Sequence, residues 1–172
     1  LGGALAGALL LAECGKESLH QQLKRQPTVA HRDVMLLNHL LDIQHLAIAA
    51  YTAGTPLLPS SMAGAAEQFL TQELTHAGAL ANLVHDAGGK PHDPLPSYDL
   101  GNPRSPHDVL RLLHTVEQIE LSSFLSVLPR LAPAEVRARV AGFLANDAQH
   151  DSAVRLLLGK NPLPAALVTG RE

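Results

Sequence analysis

Glu73 and His76 stand three residues apart in Gln72-Glu73-Leu74-Thr75-His76-Ala77, a spacing that puts a carboxylate and an imidazole on one helical face. Two such side chains can converge on a single cation when that face points inward. A second acid-x-x-His pair, Asp147 and His150, and two glutamates one turn apart, Glu117 and Glu120, recur further along the chain. Acid-x-x-His spacing is common on solvated helices. It carries metal chemistry only where several helices bring such groups to the same depth.

The elements that must do this are four segments of helical period, with no competing strand pattern. The first runs from about Thr28 to Ala53, its stripe being Leu37, Leu41, Gln44, Ile48 and Tyr51, and Gly54, Pro56 and Pro59 close it. The second begins after Pro59, with Ser60 or Ser61 expected as its cap. Its stripe is Ala66, Phe69, Glu73, His76, Leu80 and Leu83, and Gly88-Gly89 ends it as a left-handed C-terminal cap does. The third opens at Ser105-Pro106 with Asp108 in its first turn, and follows Leu110, Leu113, Glu117, Glu120, Phe124 and Val127. A capping serine, a proline at the first helical position and an early carboxylate all suit a helix N-terminus. The fourth starts at Pro133-Ala134-Glu135 and follows Val136, Val140, Phe143, Asp147, His150, Val154 and Leu157 to Gly159 and Pro162.

Steps of three and four are the seam spacing of antiparallel bundles. Each polar motif residue lies on such a seam near the middle of its helix, so four helices in register would place them at one level. Short turns join helices one to two and three to four, which makes those pairs antiparallel. Between helices two and three, Lys90 to Ser105 carries Pro91, Pro94, Pro96 and Pro103 and no helical period. These roughly 16 residues reach about 50 Å at ~3.3 Å each, enough to cross the bundle from end to end. The expected fold is an all-α antiparallel four-helix bundle, over residues 28–160, with a long crossover between helices two and three.

The remaining composition narrows the function. A chain of 172 residues suits one domain, and a net charge of -3 supplies no basic field for a phosphate backbone, so nucleic acid is not an expected partner. Ten histidines and sixteen acidic residues offer ample nitrogen and oxygen ligands, while the single cysteine, Cys14, permits no internal disulfide. Residues 1–12 are only Leu, Ala and Gly, like the apolar part of a secretory signal; a dozen residues are too short to span a bilayer as helix. Leu10-Leu11-Ala12-Glu13-Cys14 resembles a bacterial lipoprotein cleavage box, with Glu13 where a small residue is usual. The expectation is an exported protein, periplasmic or envelope-associated in a bacterium, with membrane attachment through a lipidated Cys14; an apolar helix docked on the bundle is the alternative. Residues 15–27 read as a linker or short helix, and 161–172 as an uninformative tail.

Together these motifs resemble the ferritin-like superfamily, in particular its rubrerythrin-type and exported branches, over about Val29 to Leu158. The family pattern is Glu on helix one, Glu-x-x-His on helix two, Glu on helix three and Glu-x-x-His on helix four. Glu73 and His76 match helix two, and Asp86-Ala87-Gly88-Gly89-Lys90-Pro91 is similar to the turn that follows it. Glu117 matches helix three, Glu120 resembles an extra carboxylate of rubrerythrin-like sites, and Asp147 with His150 matches helix four with Asp for Glu. Gln44 falls seven residues before Tyr51, where the first glutamate is expected, and an amide oxygen is a weaker ligand.

The resemblance implies a carboxylate centre of two iron or manganese ions, reduced to an asymmetric pair or one ion by Gln44, acting on peroxide or dioxygen in oxidative or metal stress as a peroxidase or ferroxidase. It implies no rubredoxin-like electron chain, since the cysteine pairs are missing. A metal-free ferritin-like module serving as a structural or interaction protein at the envelope is the alternative, its seam acids paired with His76 and His150. Assembly into a homo-oligomer stays open. Among the other histidines, His114 is an extra ligand or, more simply, an edge residue; His45 is packed between helices or solvated; and His20, His31, His39, His85, His92 and His107 read as surface or loop. Tyr51 and Phe124 read as core fillers, with Tyr51 also placed to donate a hydrogen bond near a metal.

Overall fold

The computed structural model describes residues 29–171, so the apolar segment, Cys14 and the stretch 15–27 lie outside it. Among the described residues there are four long helices and no strand: α1 (Val29–Gly54), α2 (Ser60–Asp86), α3 (Pro106–Val127) and α4 (Ala134–Leu157). Short 3-10 turns at Thr55–Leu57 and Leu128–Arg130 make the two tight connections.

The helix ends follow local chemistry. Ser105 caps α3: its Oγ accepts from Asp108 N–H at 3.2 Å and donates to Asp108 Oδ2 at 2.7 Å. Gly88, at φ 80°, closes α2, with Gly89 N–H donating to Val84 and Gly88 N–H to His85, the paired bonds of a Schellman motif. The cap of α2 differs from expectation. Ser60 is already the first helical residue, and Pro59, at φ -58°, precedes it with no side-chain cap. The Pro59 carbonyl itself accepts from Met62 and Ala63, so the proline's fixed φ delivers the chain into the helix and leaves the serine no capping position.

Contacts between helix ends define the topology. Gly89, just past α2, lies against Val34 near the start of α1, while Gly54 at the end of α1 lies against Val109 near the start of α3. Asp33 accepts from Ala132 N–H beyond the end of α3. Helix α1 is therefore antiparallel to both α2 and α3, and residues 87–105 traverse the bundle's length. Buried Asn38 of α1 anchors this crossover, donating to the Lys90 carbonyl at 3.0 Å and accepting from His92 N–H at 2.9 Å.

The interior has two apolar halves. One is built on Leu37, Leu40, Leu41, Leu80, Phe124, Val127 and Val140; the other on Ala47, Tyr51, Ala66, Leu110, Leu113 and Val154. Gln44, Glu73, Glu117, Glu120, Asp147 and His150 are all 1% exposed or less, and their positions along the helices fall between the two halves. The tail is also ordered onto the bundle. Gly170 lies so close to Ser122 N and the Gln118 carbonyl that a Cβ there would meet them at 2.5 and 2.8 Å.

Candidate metal centre

The polar layer draws one residue from α1 and a pair from each other helix. Two groups of three have ligand atoms within 4.8 Å of one another: Glu73, Glu117 and His150, and Glu73, His76 and Asp147. Glu73 belongs to both. His150 Nδ1 lies 2.8 Å from Glu73 Oε1 and 3.5 Å from Glu117 Oε1, and His76 Nδ1 lies 3.2 Å from Asp147 Oδ1 and 3.5 Å from Glu73 Oε2. The pairings of 73 with 150 and of 76 with 147 require α2 and α4 to run antiparallel at this level.

Glu120 lies one turn along α3 from Glu117, buried and outside both triads. Gln44 donates through Nε2 to Glu73 Oε2. Tyr51 donates to Glu117 Oε1 at 2.5 Å. Phe69 stacks on His150 with ring centroids 4.2 Å apart, and Phe143 packs at 4.8 Å from the His76 ring, so each imidazole has an aromatic ring against it.

Glu117 Oε2, both oxygens of Glu120, both of Asp147 and Gln44 Oε1 are buried without a hydrogen-bond partner among the described residues. Unpartnered buried polar oxygens are strongly disfavoured. A cluster of carboxylate oxygens facing two imidazole nitrogens is the donor set that first-row transition ions take, so the residues present fit a metal centre.

The electrostatics of the side chains alone show the same tension. Burial raises Glu117, which titrates at about 8 despite the bond from His150, with the charge of Glu73 adding to the rise. Burial likewise lifts Glu120 well above the carboxylate range, helped by the charges of Glu73, Asp147 and Glu117. It raises Asp147 to about 6 against the pull of His76. Burial opposes charge on the histidines, yet the carboxylates prevail: Asp147 and Glu73 raise His76 to about 9, and Glu117 and Glu73 raise His150 to about 10. Glu73 alone is held low, His150 and His76 outweighing its burial. Burial and the charge of Glu117 push the Tyr51 hydroxyl well up, which keeps it a donor.

Gln72, Gln118 and Asp151 carry no signal in their own segments and gain their roles only from the packing of the helices. Gln72 accepts from His150 Nε2 at 2.6 Å; one residue from Glu73, it sits about 100° off the seam, and only the approach of α4 gives it a partner. His114 is not an edge residue but buried, 2.7 Å from Asp151 Oδ1, while Gln118 donates to Asp151 Oδ2 at 2.9 Å. This pair braces α3 against α4 beside the centre. His45 is half-buried, its pKa lowered chiefly by burial, and His92 lies at the surface 3.0 Å from Asp42.

A family model for the ferritin-like domain matches residues 32–160, and the chain belongs to that family. Among solved structures, a conserved hypothetical protein from Mycobacterium tuberculosis is similar with a TM-score of 0.71 and 20% identity, over 78% of this chain and 96% of that one. A ferritin-like, diiron-carboxylate protein from Bacillus anthracis is similar with a TM-score of 0.67 and 18% identity, over 76% and 98%. Both likenesses are of fold. Comparison with curated proteins finds no match.

Proposed function

We propose that this protein binds two iron or manganese ions in the polar layer, with Glu73, His76, Glu117, Glu120, Asp147 and His150 as ligands and Gln44 as a weak or indirect one. The observation that carries this reading is the set of buried carboxylate oxygens without a protein hydrogen-bond donor, Glu117 Oε2, both oxygens of Glu120 and Asp147 Oδ2, with Asp147 Oδ1 met by His76 Nδ1 alone at 3.2 Å. Four carboxylates balance two divalent charges. Redox-active ions held there would supply electrons for peroxide reduction or take them from ferrous iron. The protein's own contribution is to position and to exclude water: Tyr51 orients Glu117, Gln44 holds Glu73, and Phe69 and Phe143 shield the two histidines. The diiron-carboxylate relative from Bacillus anthracis adds a precedent of fold.

A peroxidase or ferroxidase role in oxidative or metal stress, and export with lipid attachment at Cys14, belong to the same proposal. The second of these rests on the apolar Leu1–Ala12 stretch and the box-like Leu10–Cys14. Among the described residues no helix is long and apolar enough to cross a membrane. The mass of the intact protein exported from a bacterial host would expose an acyl group on Cys14, and an unmodified mass rejects lipidation.

A metal-free structural module is the second reading. It is favoured by the proximity of His76 and His150 to three of the acids, which lets the imidazoles act as counter-charges. Elemental analysis after anaerobic reconstitution with ferrous and manganous ions separates the two. Two ions per chain, lost in the Glu73→Ala, His150→Ala double variant, is the expected result; about one, lost likewise, means a mononuclear centre; none favours the module.

A further inference from the structure

The two triads share Glu73 but divide its carboxylate, Oε1 facing His150 Nδ1 at 2.8 Å and Oε2 facing His76 Nδ1 at 3.5 Å. Their supports are unequal. On the His150 side the outward ring nitrogen Nε2 is engaged by Gln72 Oε1 at 2.6 Å, Phe69 stacks on the ring, and Tyr51 orients Glu117. On the His76 side the ring is packed by Phe143 and Asp147 Oδ1 lies 3.2 Å from Nδ1. No side chain or carbonyl among the described residues, however, is bonded to the outward Nε2 of this 8% exposed imidazole, Asp147 Oδ2 has no partner, and Glu73 Oε2 is already taken by the Gln44 amide.

We propose that metal ions occupy the two triads in order, Glu73–Glu117–His150 first and Glu73–His76–Asp147 second, with Gln72 and Gln44 as the positioning residues that impose the order. This rests on the metal-binding reading above. An imidazole binds a metal through a nitrogen lone pair, so its hydrogen must sit on the other ring nitrogen, and the group accepting that hydrogen sets tautomer and orientation. Gln72 is that acceptor for His150. It neighbours Glu73 on α2, so one helix supplies the shared carboxylate and also aims the histidine arriving from α4.

Gln44 acts in the opposite sense on the second triad. Its NH2 group occupies Glu73 Oε2, the oxygen that faces His76 and Asp147, while its own Oε1 is buried without a partner. A half-turn of the amide exchanges Nε2 for Oε1 and converts Gln44 from a competitor for that oxygen into an additional acceptor. The second ion therefore has to displace or turn a buried amide, and the first does not.

The test is a titration of the full chain with Zn2+, a diamagnetic probe, followed by the ring 15N resonances of the histidines and by calorimetry. The first equivalent is expected to shift His150, the second His76, with His150→Ala assigning the signals. Gln72→Leu should weaken the first step by about 10- to 100-fold, Gln72→Glu should restore it, and Gln44→Glu should strengthen the second step until the two merge. Circular dichroism verifies that each variant keeps its helices. His76 responding first or together with His150, or a first step unchanged in Gln72→Leu, overturns the order while leaving the metal centre intact. Absence of any Zn2+ response at His76 and His150 overturns both.

Discussion

At the scale of single residues, the centre depends on how each buried oxygen is satisfied. Tyr51 supplies a hydroxyl hydrogen to Glu117 inside the bundle, so Tyr51→Phe leaves that oxygen without this donor. We expect a loss of about 1–3 kcal/mol in urea unfolding of the chelated protein, and a smaller one when metal is bound and takes the carboxylate instead; equal losses in both forms would count against metal binding at Glu117. Glu73 is the ligand common to both triads, so Glu73→Gln should reduce binding at both. Asp147 is a member of the second triad and not of the first, so Asp147→Asn should leave one ion per chain by elemental analysis. The acid-x-x-His pairs were legible because a spacing of three is a property of any helix. Gln72 was not, because nothing in its own helix distinguishes it from a solvated glutamine until His150 arrives from α4.

At the scale of elements, the helices are placed by close approaches at their ends. A Cβ on Gly89 would lie 2.4 Å from Val34 Cγ1, whereas one on Gly78 in the middle of α2 meets nothing within 4 Å. Gly89→Ala should therefore destabilise by about 1–3 kcal/mol through overpacking where the crossover begins. Gly78→Ala should stabilise by about 0.5–1 kcal/mol by removing a flexible residue from a helix interior. Denaturant midpoints of the two variants should move in opposite directions. Ser105→Ala removes the only side-chain cap seen on the described helices α2, α3 and α4 and should cost about 1 kcal/mol. Seam stripes and breakers located the four helices to within a residue or two at most ends, since periodicity and proline act locally. The start of α2 differs from the expected serine cap because Pro59 and Ser60 both signal a helix start and the proline comes first.

At the scale of the whole molecule, the polar layer ties stability to pH and to metal. His76 and His150 rise from an ordinary value of 6.5 to about 9 and about 10, and Glu117 from 4.5 to about 8. A group raised on folding adds stability that is complete below its unfolded value and is lost as pH climbs through its folded value. Glu73, shifted down, acts oppositely, its contribution present above its unfolded value near 4.5 and lost as pH falls through the lower folded one. Between pH 6.5 and 10 the raised groups govern. The chelated protein should melt at progressively lower temperature across that window. Manganese should stabilise it increasingly over the same span, because ligands must shed their protons to bind. Scanning calorimetry with chelator and with Mn2+ measures both slopes, and parallel slopes would contradict metal ligation by these groups.

That four amphipathic helices form, that two pairs are tightly connected, and that seven polar residues lie on their inward faces could be read from the chain alone. These are consequences of local spacing, of breakers and of loop length. Which oxygen of Glu73 serves which histidine, the grip of Gln72 on His150 from the same helix as Glu73, and the packing of the tail against α3 emerge from the folded arrangement. It also moved His114 from an edge to a buried pair with Asp151, 37 residues away. Such pairings depend on the rotation and axial shift of one helix against another, set by the packing of Leu, Val, Phe and Tyr across the whole core, and no single segment encodes them.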